Sequence, residues 1–274
     1  MNSSSVICVL LNWNNYPDTA ECLRSLERLE YSGDFRVVVV DNGSTDGSAD
    51  RLERGFPDVT LLRNAGNFGF AKGVNVGIKW ALEEGAEGIW LLNNDTIAPP
   101  DALGGMLASM ESDGKVGVVG STLEYFDSSK IQSYGGGWVN MVKGFSSHCV
   151  SKESAEERPL DYITAASMLV RRKVFEEIGF FDERFFMYWE DVDFCFRARG
   201  AGWRLAVASG STVKHKEGGS ADAAPSGILR KTYARSMFRF FRKHCWFWLL
   251  PALYGIMYGV YLRPLFRGKG EGER

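Results

Sequence analysis

Four short apolar runs in the first third of the chain constrain its fold most. Val6–Leu11, Arg36–Val40, Val59–Arg63 and Gly88–Leu92 are built largely from β-branched and aliphatic residues, and each stops on polar ones. Strands that are apolar throughout are buried on both faces, the condition of a parallel sheet covered by helices on either side. The segments between them carry helical signals. Ala20, Leu23, Leu26 and Leu29 fall at helical spacing after Asp18-Thr19, with Gly33 just beyond. A second helix is expected after Asp46-Gly47-Ser48, and a third runs from the Asn67–Gly77 stretch to about Glu84. Alternating strand and helix predicts an α/β domain with a mostly parallel central sheet flanked by helices.

Open α/β sheets bind ligands at the carboxyl ends of their strands, so the residues that end these runs are the first candidates for function. The first run ends on Asn12 and Asn14, the second on Asp41-Asn42, and the fourth on Asn93-Asn94-Asp95-Thr96, with Pro99-Pro100 preventing its continuation. Asp95 there can hold a hard divalent cation, with phosphate and water oxygens completing an octahedron. The same residues also suit a plain polar turn in which Asp95 caps the next helix. Dinucleotide (GxGxxG) and Walker-type (GxxxxGK[ST]) phosphate loops are both absent, which argues against NAD binding and ATP hydrolysis.

Composition narrows the class further. The chain has 274 residues, 45% hydrophobic and 24% charged, enough for one large α/β domain or two small ones. A net charge of −2 gives no general electrostatic case for nucleic-acid binding. Five scattered cysteines without a Cys-x-x-Cys pair favour reduced, packed thiols over disulfides or a zinc site. Met1–Ser5 lacks the basic flank and apolar segment of a signal peptide, and the expected location is cytoplasmic.

The second half carries an acid pair. Glu190-Asp191 opens an amphipathic helix and follows Phe185, Phe186, Met187, Tyr188 and Trp189. Adjacent carboxylates repel, so at least one gains proton affinity, as a general base requires. An acidic first turn of a helix reads the same way locally. The aromatic run can dry a site or stack on a flat ligand face, as can Trp138 in the Gly-rich stretch Gly135–Trp138, which is expected to be mobile. His215 follows a strand-like run, Leu205–Val213, where a lone histidine is either a structural side chain or a ligand.

Two runs, Val37–Asp46 and Asn67–Gly77, resemble the signatures of family 2 glycosyltransferases, and Asn93-Asn94-Asp95 stands where that family keeps its Asp-x-Asp metal motif. The similarity is nearest to the bacterial rhamnosyltransferase-like branch and covers roughly residues 6 to 242. One departure is Ala165, where the family usually has glycine. The resemblance implies a GT-A fold: residues 1–228 form the glycosyltransferase domain, with a nucleotide-binding half over about 1–100 and an acceptor half over about 101–228. It implies Asp191 as the base with Glu190 orienting it or the acceptor, and Asp95 with His215 as ligands of Mn2+ or Mg2+. It places Asp41 on the N3–H of a pyrimidine base, and Asn67, Lys72, Asn75 and Asn94 near the diphosphate and donor sugar. Asn12 joins that pocket by position alone. The implied activity is inverting transfer of rhamnose or another hexose from a dTDP- or UDP-sugar to a glycan or lipid-linked acceptor. A non-catalytic relative that binds nucleotide sugar without turnover is the competing class.

From Arg230 the composition changes. Arg230, Lys231, Arg235, Arg239, Arg242 and Lys243 interleave with aromatic residues, and Cys245–Leu262 is uncharged. Residues 229–274 are therefore expected to be a basic, aromatic helical tail. Residues 229–267 suit the inner face of an anionic membrane, packing on the domain, or a homodimer contact, and the uncharged stretch is at the lower length limit for a bilayer span.

Overall fold

The computed structural model describes residues 5–216, 226–245, 250–257 and 259. The first part of the chain is β1 (Val6–Asn12), α1 (Tyr16–Leu26), β2 (Phe35–Asp41), α2 (Ser48–Gly55), β3 (Thr60–Arg63), α3 (Gly69–Glu83) and β4 (Gly88–Asn93). Then come β5 (Thr96–Ile97), α4 (Ala102–Glu111), β6 (Val116–Tyr125), β7 (Ile131–Tyr134), β8 (Gly136–Asn140), β9 (Phe145–His148) and α5 (Lys152–Glu157). The chain continues through β10 (Tyr162–Ile163), β11 (Ser167–Arg171), α6 (Arg172–Ile178), α7 (Glu190–Gly200), β12 (Arg204–His215), α8 (Ser226–His244) and α9 (Leu250–Met257).

The main sheet runs β3-β2-β1-β4-β11-β6-β12-β5, with β7 on β6. Its first four strands are parallel, as continuous apolar runs require. Val6–Leu10, Val38–Val40 and Ile89–Leu92 are almost wholly inaccessible, and helices cover both faces. β11 enters antiparallel between β4 and β6, and β12 returns parallel to β6. This insertion brings the second half of the chain against β4. The last residues of β12 pair with β5, setting His215 opposite Thr96.

A second, three-stranded sheet, β10-β8-β9, carries Trp138, His148 and Tyr162. It corrects the expectation of a mobile segment at Gly135–Trp138. The glycines serve close strand packing there: a Cβ on Gly136 would stand 1.8 Å from the Tyr162 carbonyl oxygen, and one on Gly137 would stand 1.9 Å from that of Ser147.

The tail helix α8 belongs to the domain's core. Ala234, Met237, Phe240 and Phe241 are buried, and Trp189 packs against Tyr233, Phe240 and Phe241. Charge seals the contact: the fully buried Asp193 carboxylate meets Lys243 at 2.8 Å, His244 at 2.7 Å and Arg197 at 2.9 Å. The aromatic face expected to meet a membrane or a second subunit is thus largely spent inside the fold. Among the described residues no helix is long and apolar enough to cross a membrane.

Candidate active site

The parallel strands deliver three polar ends to one edge, and buried hydrogen bonds tie them together. Asn12 donates to Asp41 at 2.8 Å and to the Ser44 hydroxyl at 3.1 Å, and accepts from the Thr19 hydroxyl at 2.8 Å. Asn94 donates to the same Thr19 oxygen at 2.8 Å. The Ser44 N–H holds the other Asp41 oxygen at 3.0 Å. Asn12, expected in the nucleotide pocket, is completely buried and positions Asp41 from behind. Asn42, at the end of the second run, clamps the third loop. Its amide donates to Asn67 and to the Gly69 carbonyl, each at 3.1 Å, and accepts from Asn64 and the Phe68 N–H.

Asn75 departs from expectation. Asn75 is buried, donates to the Phe181 carbonyl at 2.9 Å and accepts the Phe181 N–H at 3.1 Å. Both ends of its amide are therefore committed to fixing the 181–183 turn, facing the core side of α3. Lys72 is exposed, with its ammonium 4.4 Å from the centre of the Phe68 ring.

At the end of β4, His215 Nε2 lies 3.3 Å from Asp95 Oδ1 and 3.3 Å from the Asn93 amide nitrogen. Gln132 Oε1 stands 2.9 Å from His215 Nδ1, and the Gln132 amide nitrogen donates to the His215 carbonyl at 2.8 Å. Gln132 thereby accepts the Nδ1 proton and leaves the Nε2 lone pair facing Asp95. Neighbouring ligands of an octahedral cation at about 2.1 Å stand about 3 Å apart, so this pair fits one divalent cation. Among the described residues no third His, Cys, Asp or Glu joins them. Further ligands would come from substrate phosphate and water. Gln132 gave no sequence signal, because its partner lies 83 residues away on another strand.

The acid pair sits beside this strand end. The Asn93 N–H donates to the Ala166 carbonyl at 3.0 Å, and the adjacent Ala165 N–H donates to Asp191 Oδ2 at 3.2 Å. Asp191 Oδ1 accepts the Val192 N–H at 2.8 Å. Burial pushes the Asp191 carboxyl above the usual carboxylate range, while the two backbone N–H groups and nearby His148 oppose that rise. Glu190 is pushed well above that range, first by burial and then by the Asp191 charge. Its Oε2 has no hydrogen-bond partner among the described residues. Tyr188 and Trp189 enter the helix with φ of 69° and 68°, a left-handed conformation that costs non-glycine residues about 1–3 kcal/mol each. The packing of α8 holds that turn.

Trp189, expected to present a face to the acceptor, is only 3% exposed and enclosed by α8 aromatics, so it supports the acid pair from behind. Trp138 is half-buried on β8, donates to the Pro159 carbonyl at 3.2 Å and lies under Arg158. His148 and Tyr162, 3.2 Å apart on β9 and β10, were not expected at the site, yet both act electrostatically with Asp191.

A mostly parallel sheet whose polar strand ends meet an Asp–His pair and a buried acid pair is the arrangement of a GT-A glycosyltransferase. The sequence matches glycosyl transferase family 2 over residues 5–179, and the chain belongs to that family. It is 26% identical over 249 residues to the N-acetylglucosaminyl-diphospho-decaprenol L-rhamnosyltransferase of Mycobacterium tuberculosis, spanning 83% of this chain and 81% of that one. It is 25% identical to the dTDP-rhamnosyl transferase RfbF of Shigella flexneri over 79% of this chain and 70% of the relative. Its fold is that of the mannosyltransferase PcManGT from Pyrobaculum calidifontis, solved with GDP-Man and Mn2+. That structure superposes with a TM-score of 0.61 at 18% identity, covering 98% of this chain and 76% of the other.

Proposed function

We propose that this glycosyltransferase is metal-dependent and inverting, and moves rhamnose from a dTDP-sugar to a lipid-linked glycan acceptor in cell-surface polysaccharide synthesis. The observation that carries the mechanism is the Ala165-Ala166 link, which fastens the Asp191 carboxylate beside the end of β4. In this reading Asp191 takes the proton of the acceptor hydroxyl as its oxygen attacks the anomeric carbon. The bond from that carbon to the diphosphate oxygen breaks on the opposite face and the nucleoside diphosphate departs, inverting the centre. A divalent cation held by Asp95 and His215 would supply charge stabilisation to the leaving diphosphate. Glu190, whose proton affinity burial raises, orients the acceptor or the base through its unpartnered oxygen. Asp41 accepts the N3–H of the pyrimidine. The choice of donor is supported by the two rhamnosyltransferase relatives.

Calorimetric titration with dTDP, UDP and GDP in Mn2+, followed by turnover with the corresponding sugars, tests this. dTDP should bind tightest and dTDP-rhamnose should turn over. Equal binding with and without Mn2+, or turnover confined to a GDP-sugar, would refute the assignment.

A further inference from the structure

Between the 184–186 segment and α8 lies an open groove of about 680 Å³ lined by Arg184, Phe186, Arg235, Phe238, Arg239 and Arg242. Arg235, Arg239 and Arg242 are four and three residues apart, so they share one face of α8, opposite the face that carries buried Ala234, Met237 and Phe241. Like charges at that spacing destabilise a helix unless an anion neutralises them. Among the described residues no carboxylate lies within 4.0 Å of these three guanidinium groups. Arg184 faces them from the 184–186 segment, its charge shared with Asp182 at 2.8 Å. Planar guanidinium groups match phosphate oxygens two at a time.

The groove's rim is apolar. Phe186 is 47% exposed, and Phe238 packs edge-on against Tyr254 of α9 at 5.6 Å. Helix α9, Leu250–Met257, contains no charged residue, and Ile228 and Tyr254 on this part of the chain are exposed. The segment that forms the floor leads along the chain into the acid pair. The Phe186 carbonyl accepts the Phe70 N–H at 2.6 Å, the Met187 carbonyl accepts the Ser236 hydroxyl at 2.8 Å, and Glu190 follows three residues later.

We infer that this groove holds the diphosphate of an isoprenoid-linked acceptor, with the four arginines on its phosphates and its hydrocarbon chain along Phe186, Phe238 and α9. A free phosphate would use the arginines and leave the apolar rim idle, and a bare lipid tail would do the reverse. The inference rests on the proposed transfer to a lipid-linked acceptor and names the part of the chain that holds it.

The test uses the full-length protein and four probes in calorimetric titrations. These are farnesyl diphosphate, inorganic pyrophosphate, farnesol, and phosphatidylcholine vesicles containing phosphatidylglycerol. Farnesyl diphosphate should bind in the presence of saturating dTDP and Mn2+, more tightly than pyrophosphate, and farnesol should not bind. The triple variant R235Q/R239Q/R242Q should weaken farnesyl diphosphate binding by about tenfold or more. Its affinity for dTDP and Mn2+ should be unchanged and its thermal midpoint unchanged or raised, since like charges are relieved. Undiminished binding in the variant would overturn the inference. So would competition by dTDP, which would place the probe in the donor site, or arginine-dependent binding to vesicles without binding of farnesyl diphosphate. Loss of dTDP binding in the native protein with farnesyl diphosphate still bound would strike the donor assignment and leave the groove standing.

Discussion

Replacing Asp191 with Asn tests the proposed base through two separate quantities. Both Asp191 oxygens accept backbone N–H groups, from Ala165 at 3.2 Å and Val192 at 2.8 Å. An asparagine must turn its NH2 toward one of these donors, losing a hydrogen bond and opposing two donors at a cost of about 1–3 kcal/mol. The thermal midpoint should fall by about 2–4 °C for each kcal/mol lost. Turnover should fall much further, by about 10²–10⁴-fold, the usual contribution of a positioned base. Single-turnover transfer gives the rate, calorimetry with dTDP and Mn2+ should show near-native binding, and thermal unfolding gives the stability term. The pH dependence has a definite sign. Burial raises the Asp191 carboxyl in the folded state, so its contribution to stability is complete below the unfolded carboxylate value and declines as pH rises through the folded one. Transfer needs the ionised form and should fall as pH drops through that same raised value. Asparagine removes both dependences at this position, while Glu190, raised in the same direction, keeps its own. Turnover within about threefold of native, with binding intact, would remove Asp191 as the base.

Gln132→Leu should leave the fold stable but release the His215 ring, lowering Mn2+-dependent nucleotide affinity by about 10–100-fold in calorimetry. Unchanged Mn2+ dependence there, with Asp95→Ala also silent, would refute the pair as cation ligands. Asp193→Ala should destabilise the domain by about 3 kcal/mol in denaturant unfolding, near the lower end for a broken buried pair because Lys243 keeps 28% of its side chain in solvent. Burial alone would raise the Asp193 carboxyl, but hydrogen bonds from His244, Lys243 and Arg197 overcome it and hold the group below its usual range. Its stabilising contribution is therefore present above the unfolded carboxylate value and lost as pH falls through the folded one, a loss the alanine variant should not show.

Much of the nucleotide half was legible in the sequence, because its structure is locally encoded. Buried parallel strands are continuous apolar runs, and each run's end appears as an abrupt change to Asn or Asp. Val6–Leu11, Arg36–Val40 and Gly88–Leu92 marked strand positions closely, and Asp41 and Asp95 stand at the strand ends those runs marked. Residue type could not say which polar side chains remain available. Asn75 looks like a phosphate contact beside a Gly-rich loop, yet its amide closes on Phe181, 106 residues away. Asn12 is spent on Asp41 and Thr19, and Trp189 lies under α8.

The tail shows the same limit. Its aromatic and basic residues fit a membrane surface as well as a core until α8 is seen to bury one face on α7 and gather three arginines on the other. Gln132 behind His215 and Ala165 behind Asp191 are likewise products of strand order, since β11 must insert beside β4 and β12 must return along β6 before either contact exists. Sequence by itself determined the parallel strands and the polar residues that end them, because hydrophobic period and strand ends are local properties of the chain. Tertiary structure alone decided which of those groups are held, which are buried and which face one another, because hydrogen-bond partners and desolvation are set by residues far apart in the chain.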